Sequence, residues 1–345
     1  MSIGTTPGDD RRTRVGIIGT GSIALAHLAG YEQVADQARV TAVADVDADA
    51  ARRYAERAGG AAVFTDYREL VASPHVDAVD ICLPHHLHAP AIIAAAAAGK
   101  HILCEKPLCV SLGEAAAIAA AVASSGITLM CAHNLLFLPP VAPARELIRE
   151  GRLGQVYAAR ATDSFFSLMD ANTAGWRGRR STSGGGELLD TGYHPTYLLL
   201  HLLESEPVEV AAMLSLHRLD FLDGEDSGQV LVRFADGAVG SIATSWAYEP
   251  DGSTERFSAA GEKGSLWSDG RGLMFKERGG EPVVIVEPDD DEPDTYAIEV
   301  IDFVSCLRTG RRPLNTEVEG IEVLKVILAA YASAEQGRIV ALNDL

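Results

Sequence analysis

Short, uninterrupted apolar runs alternate with helix-length segments through the first third of the chain. Residues 14–18 (RVGII) form the first run, glycines follow, and a helix is predicted through roughly residues 27–33. A second run at 40–44 ends on Asp45, and 47–58 is an Ala/Arg/Glu-rich helix. The pattern then repeats, with strands at 62–63, 78–83, 101–104 and 127–132 and helices at 67–72, 89–98 and 111–124. Runs that lack polar alternation suit strands buried on both faces. Their regular spacing by helices predicts an α/β fold with a doubly wound parallel sheet.

The periodicity changes near residue 133. After a helix that ends at 145–150, the segments 156–164, 208–217, 229–234, 238–247 and 255–260 read as long strands of alternating polarity. Asp236-Gly237 and Asp269-Gly270 are hairpin signals. Helices return at 299–307 and 317–335, and 287–294 (EPDDDEPD) reads as a solvated loop. Two domains are therefore expected. Residues 1–132 form the parallel-sheet domain, with 1–12 as a mobile polar tail. Residues 133–345 form an α+β domain with a large, mostly antiparallel, open sheet for substrate binding and oligomerisation.

Composition narrows the function. The formal charge of −19, from 29 basic and 48 acidic residues, disfavours a nucleic-acid partner. No apolar stretch reaches membrane-spanning length. Five cysteines without a CxxC pair suit free thiols in a reducing cytoplasm. Arg11-Arg12 superficially suggests an export signal, but the glycine-rich stretch after it contains no cleavage site, so a cytoplasmic protein is expected.

The first strand runs into Gly19-Thr20-Gly21-Ser22-Ile23-Ala24, a GxGxxG/A pattern placed between strand and helix. Gly19 permits the tight turn, Gly21 lets backbone approach a pyrophosphate, and the amides from Ser22 and Ile23 onward open the helix toward phosphate. Asp45 lies 24 positions after Gly21 at the end of the second strand. A carboxylate there accepts from ribose hydroxyls and repels the 2′-phosphate of NADP, so the expected cofactor is NAD. A plain tight turn plus a surface Asp is the bland reading.

Lys106, one of only five lysines, sits in Cys104-Glu105-Lys106-Pro107 at the carboxyl edge of the sheet, where such folds bind ligands. Pro107 admits either a cis bond, which would aim the lysine sharply, or the commoner trans turn. Further on, a glycine run leads into Asp190 and His194, spaced i and i+4. On one helix face the carboxylate would orient the imidazole and raise its basicity, with a kink at Pro195 pushing the ring into a cleft. An ordinary surface i,i+4 contact is the alternative.

These motifs together resemble the Gfo/Idh/MocA oxidoreductases. The likeness runs from Arg14 to the C-terminus and rests on GIIGTGSIA, VADVD, DAVDICLPHHLHAPAIIAAAAAGKHILCEKPL, the Trp176-Arg177 pair and SGGGELLDTGYH. It implies a Rossmann domain, NAD as cofactor, and catalytic roles for Lys106, Asp190 and His194. It also implies nicotinamide-side contacts at Leu83, Pro84, His88 and Glu105, and substrate contacts at Asn134, Trp176 and Arg177. Three departures weaken any borrowed substrate. Leu83-Pro84-His85 replaces the usual Thr-Pro-Asn, Asn134-Leu135-Leu136-Phe137 lacks a common arginine, and Pro195-Thr196-Tyr197 follows His194 where an acidic residue is frequent.

The expected activity is NAD-dependent oxidation of a secondary hydroxyl on a sugar, polyol (inositol-like) or sugar derivative, or the reverse keto-sugar reduction. A glycosidase that recycles its NAD within each turnover is an alternative, as is a non-catalytic NAD-binding regulator. Net NADH separates the first from the second, and intact Lys106, Asp190 and His194 argue against the third. No metal is expected, because His85, His86 and His88 lack a carboxylate or thiolate at ligand spacing. His27, His201 and His217 read as ordinary surface positions. Trp246 and Trp267 read as core or interface residues. A homodimer or homotetramer is expected through the open sheet face.

Overall fold

A computed structural model describes residues 12–249, 255–289, 291 and 293–345. Almost all of the expected N-terminal tail, residues 1–11, lies outside the described residues, as do parts of the acidic 287–294 segment.

The first sheet has six strands, all parallel: β1 (Thr13–Ile18), β2 (Ala38–Ala44), β3 (Ala62–Phe64), β4 (Ala78–Ile81), β5 (His101–Glu105) and β6 (Leu129–Ala132). Their order, β3-β2-β1-β4-β5-β6, reverses direction between β1 and β4, the switch point where doubly wound sheets bind ligands. Helices α1 (Ser22–Gln33), α2 (Ala48–Arg57), α3 (Tyr67–Ala72), α4 (His88–Ala97) and α5 (Leu112–Ser125) make the crossovers. Local chemistry sets their starts. Asp47 accepts the amides of Asp49 and Ala50 to cap α2, and Ser111 caps α5 through Glu114. The first helix begins at Ser22, five residues before the periodicity suggests, because the glycine turn leads straight into it.

After α6 (Val141–Arg149) the chain builds a nine-stranded sheet in the order β14-β13-β12-β11-β7-β10-β9-β8-β15. Its strands are β7 (Val156–Ser164), β8 (Pro207–Ser215), β9 (Ser227–Phe234), β10 (Val239–Ser245), β11 (Phe257–Gly261), β12 (Gly264–Ser268), β13 (Leu273–Glu277), β14 (Val283–Val286) and β15 (Val340–Ala341). Every pairing is antiparallel except β7 with β10. Both hairpin signals fall at turns, with Gly237 (φ +90°) between β9 and β10 and Gly270 (φ +97°) between β12 and β13. The last three meander strands and the short β15 were not legible as separate strands.

Short helices α7 (Arg180–Ser183) and α8 (Glu187–Asp190) precede α9 (Tyr193–Leu203), and α10 (Thr295–Thr309) and α11 (Glu317–Gln336) close the chain. One sheet face packs on α9 and α11. On the other, β9 alternates buried Val230, Val232 and Phe234 with exposed Gln229, Leu231 and Arg233. The α10 helix crosses back to the first domain. A Cβ on Gly30 of α1 would lie 2.7 Å from the Val300 Cβ, so the two helices meet nearly backbone to backbone.

Candidate active site

At the end of β1, Gly19 has φ +91°, and a Cβ there would lie 2.3 Å from the Cys82 carbonyl oxygen. Only glycine fits. A Cβ on Gly21 would meet nothing within 4 Å, and α1 starts on Gly21 without a side-chain cap. The first-turn amides, from Ser22 and Ile23 onward, therefore face an open cradle suited to phosphate. Asp45 borders this turn. Its Oδ2 accepts the Thr20 N–H and hydroxyl, both at 2.8 Å, and its Oδ1 accepts the Asp47 N–H at 2.9 Å. These bonds hold the carboxylate at the strand end, where a dinucleotide's adenosine ribose lies in this fold. The residues fit NAD.

The loops beside β4 and β5 are tied together by His88. Its fully buried ring bridges the carbonyls of Leu83 and Pro107, each at 2.7 Å. Leu83 and Pro84 thus form a fixed edge of the cleft, backed rather than lined by His88. The Lys106–Pro107 bond is cis. Glu105 Oε2 accepts the Lys106 N–H at 3.0 Å.

Lys106 reaches across to the second domain, where its Nζ donates to Asp190 Oδ1 at 2.7 Å and to the Asp190 carbonyl at 3.0 Å. Arg177, stacked 4.3 Å over the Trp176 ring, donates from Nε to Asp190 Oδ2 at 2.7 Å. Burial opposes ionisation of Asp190, but Lys106, with His85 and Arg177 after it, outweighs burial and holds the carboxyl well below its usual range. Two cations thus share one buried carboxylate.

Asp190 and His194 do not form the continuous helical pair that their spacing suggests. The helix breaks at Thr191-Gly192, where the buried Trp246 donates its Nε1–H to Thr191 Oγ1 at 2.8 Å. Pro195 falls in the first turn of α9, where its missing N–H is tolerated. The His194 Nδ1 lies 2.8 Å from Tyr197 Oη. Burial, then Lys106, push His194 well below the ordinary imidazole range despite Asp190, so the ring is neutral rather than made more basic.

Of the expected substrate residues, Trp176 and Arg177 stand at the cleft beside Asp190. Asn134 is buried, with Nδ2 donating to Thr295 Oγ1 at 3.0 Å and Oδ1 accepting from Tyr197 at 3.3 Å. His85 packs its ring edge on Trp176, and its Nδ1 lies 2.8 Å from the Ser183 carbonyl. Burial pushes His85 down to about 3. His86 makes a similar bond to Thr182, so these histidines fasten the cofactor-edge turn to the second domain. Sequence reasoning missed Arg177 as the partner of Asp190, Tyr197 as that of His194, and the Arg256–Asp163 ion pair at 2.9 Å.

The largest correction concerns His27, which is fully buried rather than on the surface. Its Nδ1 lies 2.9 Å from Asp80, its Nε2 3.2 Å from Glu105 and 3.5 Å from Glu299. Among the described residues, the groupings with metal-ligand spacing are His27 with Asp80 and Cys82, and His27 with Glu105 and Glu299. The 85–88 histidines are not among them. Burial opposes a charge on His27, but Asp80 and its neighbours raise it well above the ordinary imidazole range.

A dinucleotide cradle at a switch point, facing a lysine–carboxylate–histidine cleft between two domains, defines a nicotinamide-dependent oxidoreductase. Residues 13–133 match the oxidoreductase family with an NAD-binding Rossmann fold, and residues 141–267 match the GFO/IDH/MocA C-terminal domain. The chain belongs to the GFO/IDH/MocA family and is an NAD-dependent enzyme. It is 29% identical over 334 residues to 1,5-anhydro-D-fructose reductase of Ensifer adhaerens, covering 94% of this chain and 97% of that one. It is 31% identical over 281 residues to levoglucosan dehydrogenase of Pseudarthrobacter phenanthrenivorans, covering 73% and 72%. A levoglucosan dehydrogenase solved with NADH superposes with a TM-score of 0.88 at 27% identity, covering 96% of this chain and 99% of that one.

Proposed function

We propose that this enzyme oxidises a secondary hydroxyl of a sugar, polyol or sugar derivative, or reduces the matching keto-sugar. The observation that carries this reading is the clamp of Lys106 by Asp190 across the domain boundary, beside a neutral His194. When bound, NAD supplies the hydride acceptor at nicotinamide C4. Lys106 then donates a hydrogen bond to the reacting oxygen and stabilises the developing alkoxide. His194, neutral and partly exposed, takes the hydroxyl proton. Asp190 holds the ammonium in place through two hydrogen bonds, and Trp176 and Arg177 contact the sugar. Relatives named for a sugar anhydride and an anhydro-sugar support a carbohydrate substrate.

Incubation with NAD and a panel of polyols, hexoses and sugar phosphates tests the proposal. NADH should accumulate with at least one member. Product formation without NADH would instead favour the glycosidase reading.

The same reading includes a homo-oligomer joined through the open sheet face, supported by exposed Tyr157, Leu231 and Met213 on its strands. Five buried, unpaired cysteines support a reducing, cytoplasmic setting. Among the described residues, no helix is long and apolar enough to cross a membrane.

A further inference from the structure

The phenol oxygen of Tyr197 has three hydrogen-bonding neighbours. The Leu135 N–H donates to it at 3.0 Å, Asn134 Oδ1 lies at 3.3 Å and His194 Nδ1 at 2.8 Å. A tyrosine hydroxyl has one proton to give. As the structure places the Asn134 amide, Nδ2 donates to Thr295 Oγ1 at 3.0 Å and Oδ1 faces the phenol. If the hydroxyl donated to His194 Nδ1, Asn134 Oδ1 would face a lone pair, an unsatisfied acceptor in a buried position, which costs about 1–3 kcal/mol. If it donates to Asn134 Oδ1, the His194 Nδ1–H donates to the phenol and every group is satisfied. With the amide in this orientation, the second assignment is favoured.

The ring cannot easily move away from this geometry. Tyr197 is 2% exposed, and His133 stacks on it at 4.3 Å with planes 5° apart. Asp190, to which the sequence spacing gave the orienting role, has both carboxylate oxygens engaged by Lys106 and Arg177. Among the described residues, His194 Nε2 has no hydrogen-bond partner.

We propose that Tyr197 is the positioning residue of His194, fixing the imidazole as the Nδ1–H tautomer so that Nε2 keeps its lone pair for the substrate hydroxyl. This rests on the reading of His194 as the base. When Nε2 takes the hydroxyl proton, the Nδ1–H stays on the Tyr197 oxygen, so the ring neither flips nor exchanges tautomers. The phenol is thus the group that makes a neutral histidine the right neutral histidine.

The test is the tautomer itself, read from imidazole 15N correlation spectra of the full chain with NAD bound. The His194 signals are assigned by their loss in His194→Gln. Wild type should show a protonated Nδ1 and a bare Nε2. Tyr197→Phe keeps the ring and its stack and should shift His194 toward Nε2–H. Asn134→Ala, which frees the phenol proton to turn toward Nδ1, should do the same. A wild-type Nε2–H form, or spectra unchanged in both variants, would overturn the proposal. In kinetics with the panel sugar that yields most NADH, Tyr197→Phe should lower kcat about 10²-fold, as for a mispositioned general base. KM and NAD affinity should stay within about twofold, and the change should cost nothing further in a His194→Gln background. An equal loss in both backgrounds would mark Tyr197 as merely structural and refute the proposal. Wild-type turnover in His194→Gln alone would sink the base assignment, while the spectra would still decide the role of Tyr197.

Discussion

Lys106 and Asp190 are 84 residues apart in sequence, yet the lysine ammonium bonds both the side chain and the backbone carbonyl of the aspartate. One residue directly follows strand β5, and the other ends the short helix α8 of the opposite domain. The clamp therefore fixes the lysine between the two domains. It also keeps a buried carboxylate ionised, with Arg177 as the second cation on the same group.

Asp45 should decide between the two nicotinamide cofactors. Its carboxylate is fixed at the end of β2, where NADP would bring a second negative charge. NAD should be preferred at least about tenfold in kcat/KM, or about 1.4 kcal/mol. Asp45→Ala should narrow that gap, and equal efficiency in wild type would refute the role.

The cluster around His27 should make stability depend on pH. Burial pushes Glu299 up to about 8, so the folded chain binds a proton there that the unfolded chain releases near pH 4.5. His27 is raised as well, so its contribution is complete below about pH 6.5, the unfolded imidazole value, and is lost as pH rises through its folded value. Both groups hold more protons when folded, so stability falls with rising pH. Melting temperature should drop between pH 6 and 9, and Glu299→Gln, which stays neutral at the same size, should flatten the fall. A variant with the same slope as wild type would contradict this.

The open sheet face should be covered in solution by another copy of the chain. Light scattering at micromolar concentration should give at least twice the 36.5 kDa of one chain. Replacing exposed Leu231 and Met213 with aspartate should weaken the assembly. A wild-type monomer would end the idea.

The cofactor half of the site was legible because its chemistry is local. The turn at Gly19, the open Gly21, Asp45 at its strand end and the Glu105-Lys106-Pro107 edge all follow from short patterns and the strands that precede them. The other half depends on contacts that sequence spacing cannot show. Asp190 and His194 are four apart, but a bond from Trp246 to Thr191 marks the break between their helices, so the carboxylate meets Lys106 and Arg177 instead. His27 lacked any surface or core signal of its own. Its burial depends on α10, whose Glu299 arrives from the far end of the chain. Tyr197 was legible only as a departure from an acidic pattern, and the positions of Leu135 and Asn134 give it a role.

The central claim is that Lys106 acts on the chemistry and not on cofactor affinity. The most direct measurement is turnover of Lys106→Ala on the sugar that yields most NADH, beside NAD titration of the same variant by calorimetry. Removing a charged donor at the reacting oxygen should cost roughly 3–4 kcal/mol, or 10²–10³ in kcat. NAD affinity should barely change, because the proposed pyrophosphate and ribose contacts lie on the turn from Gly19 to Ala24 and on Asp45. Near wild-type turnover, or a loss explained wholly by weaker NAD binding, would contradict the account.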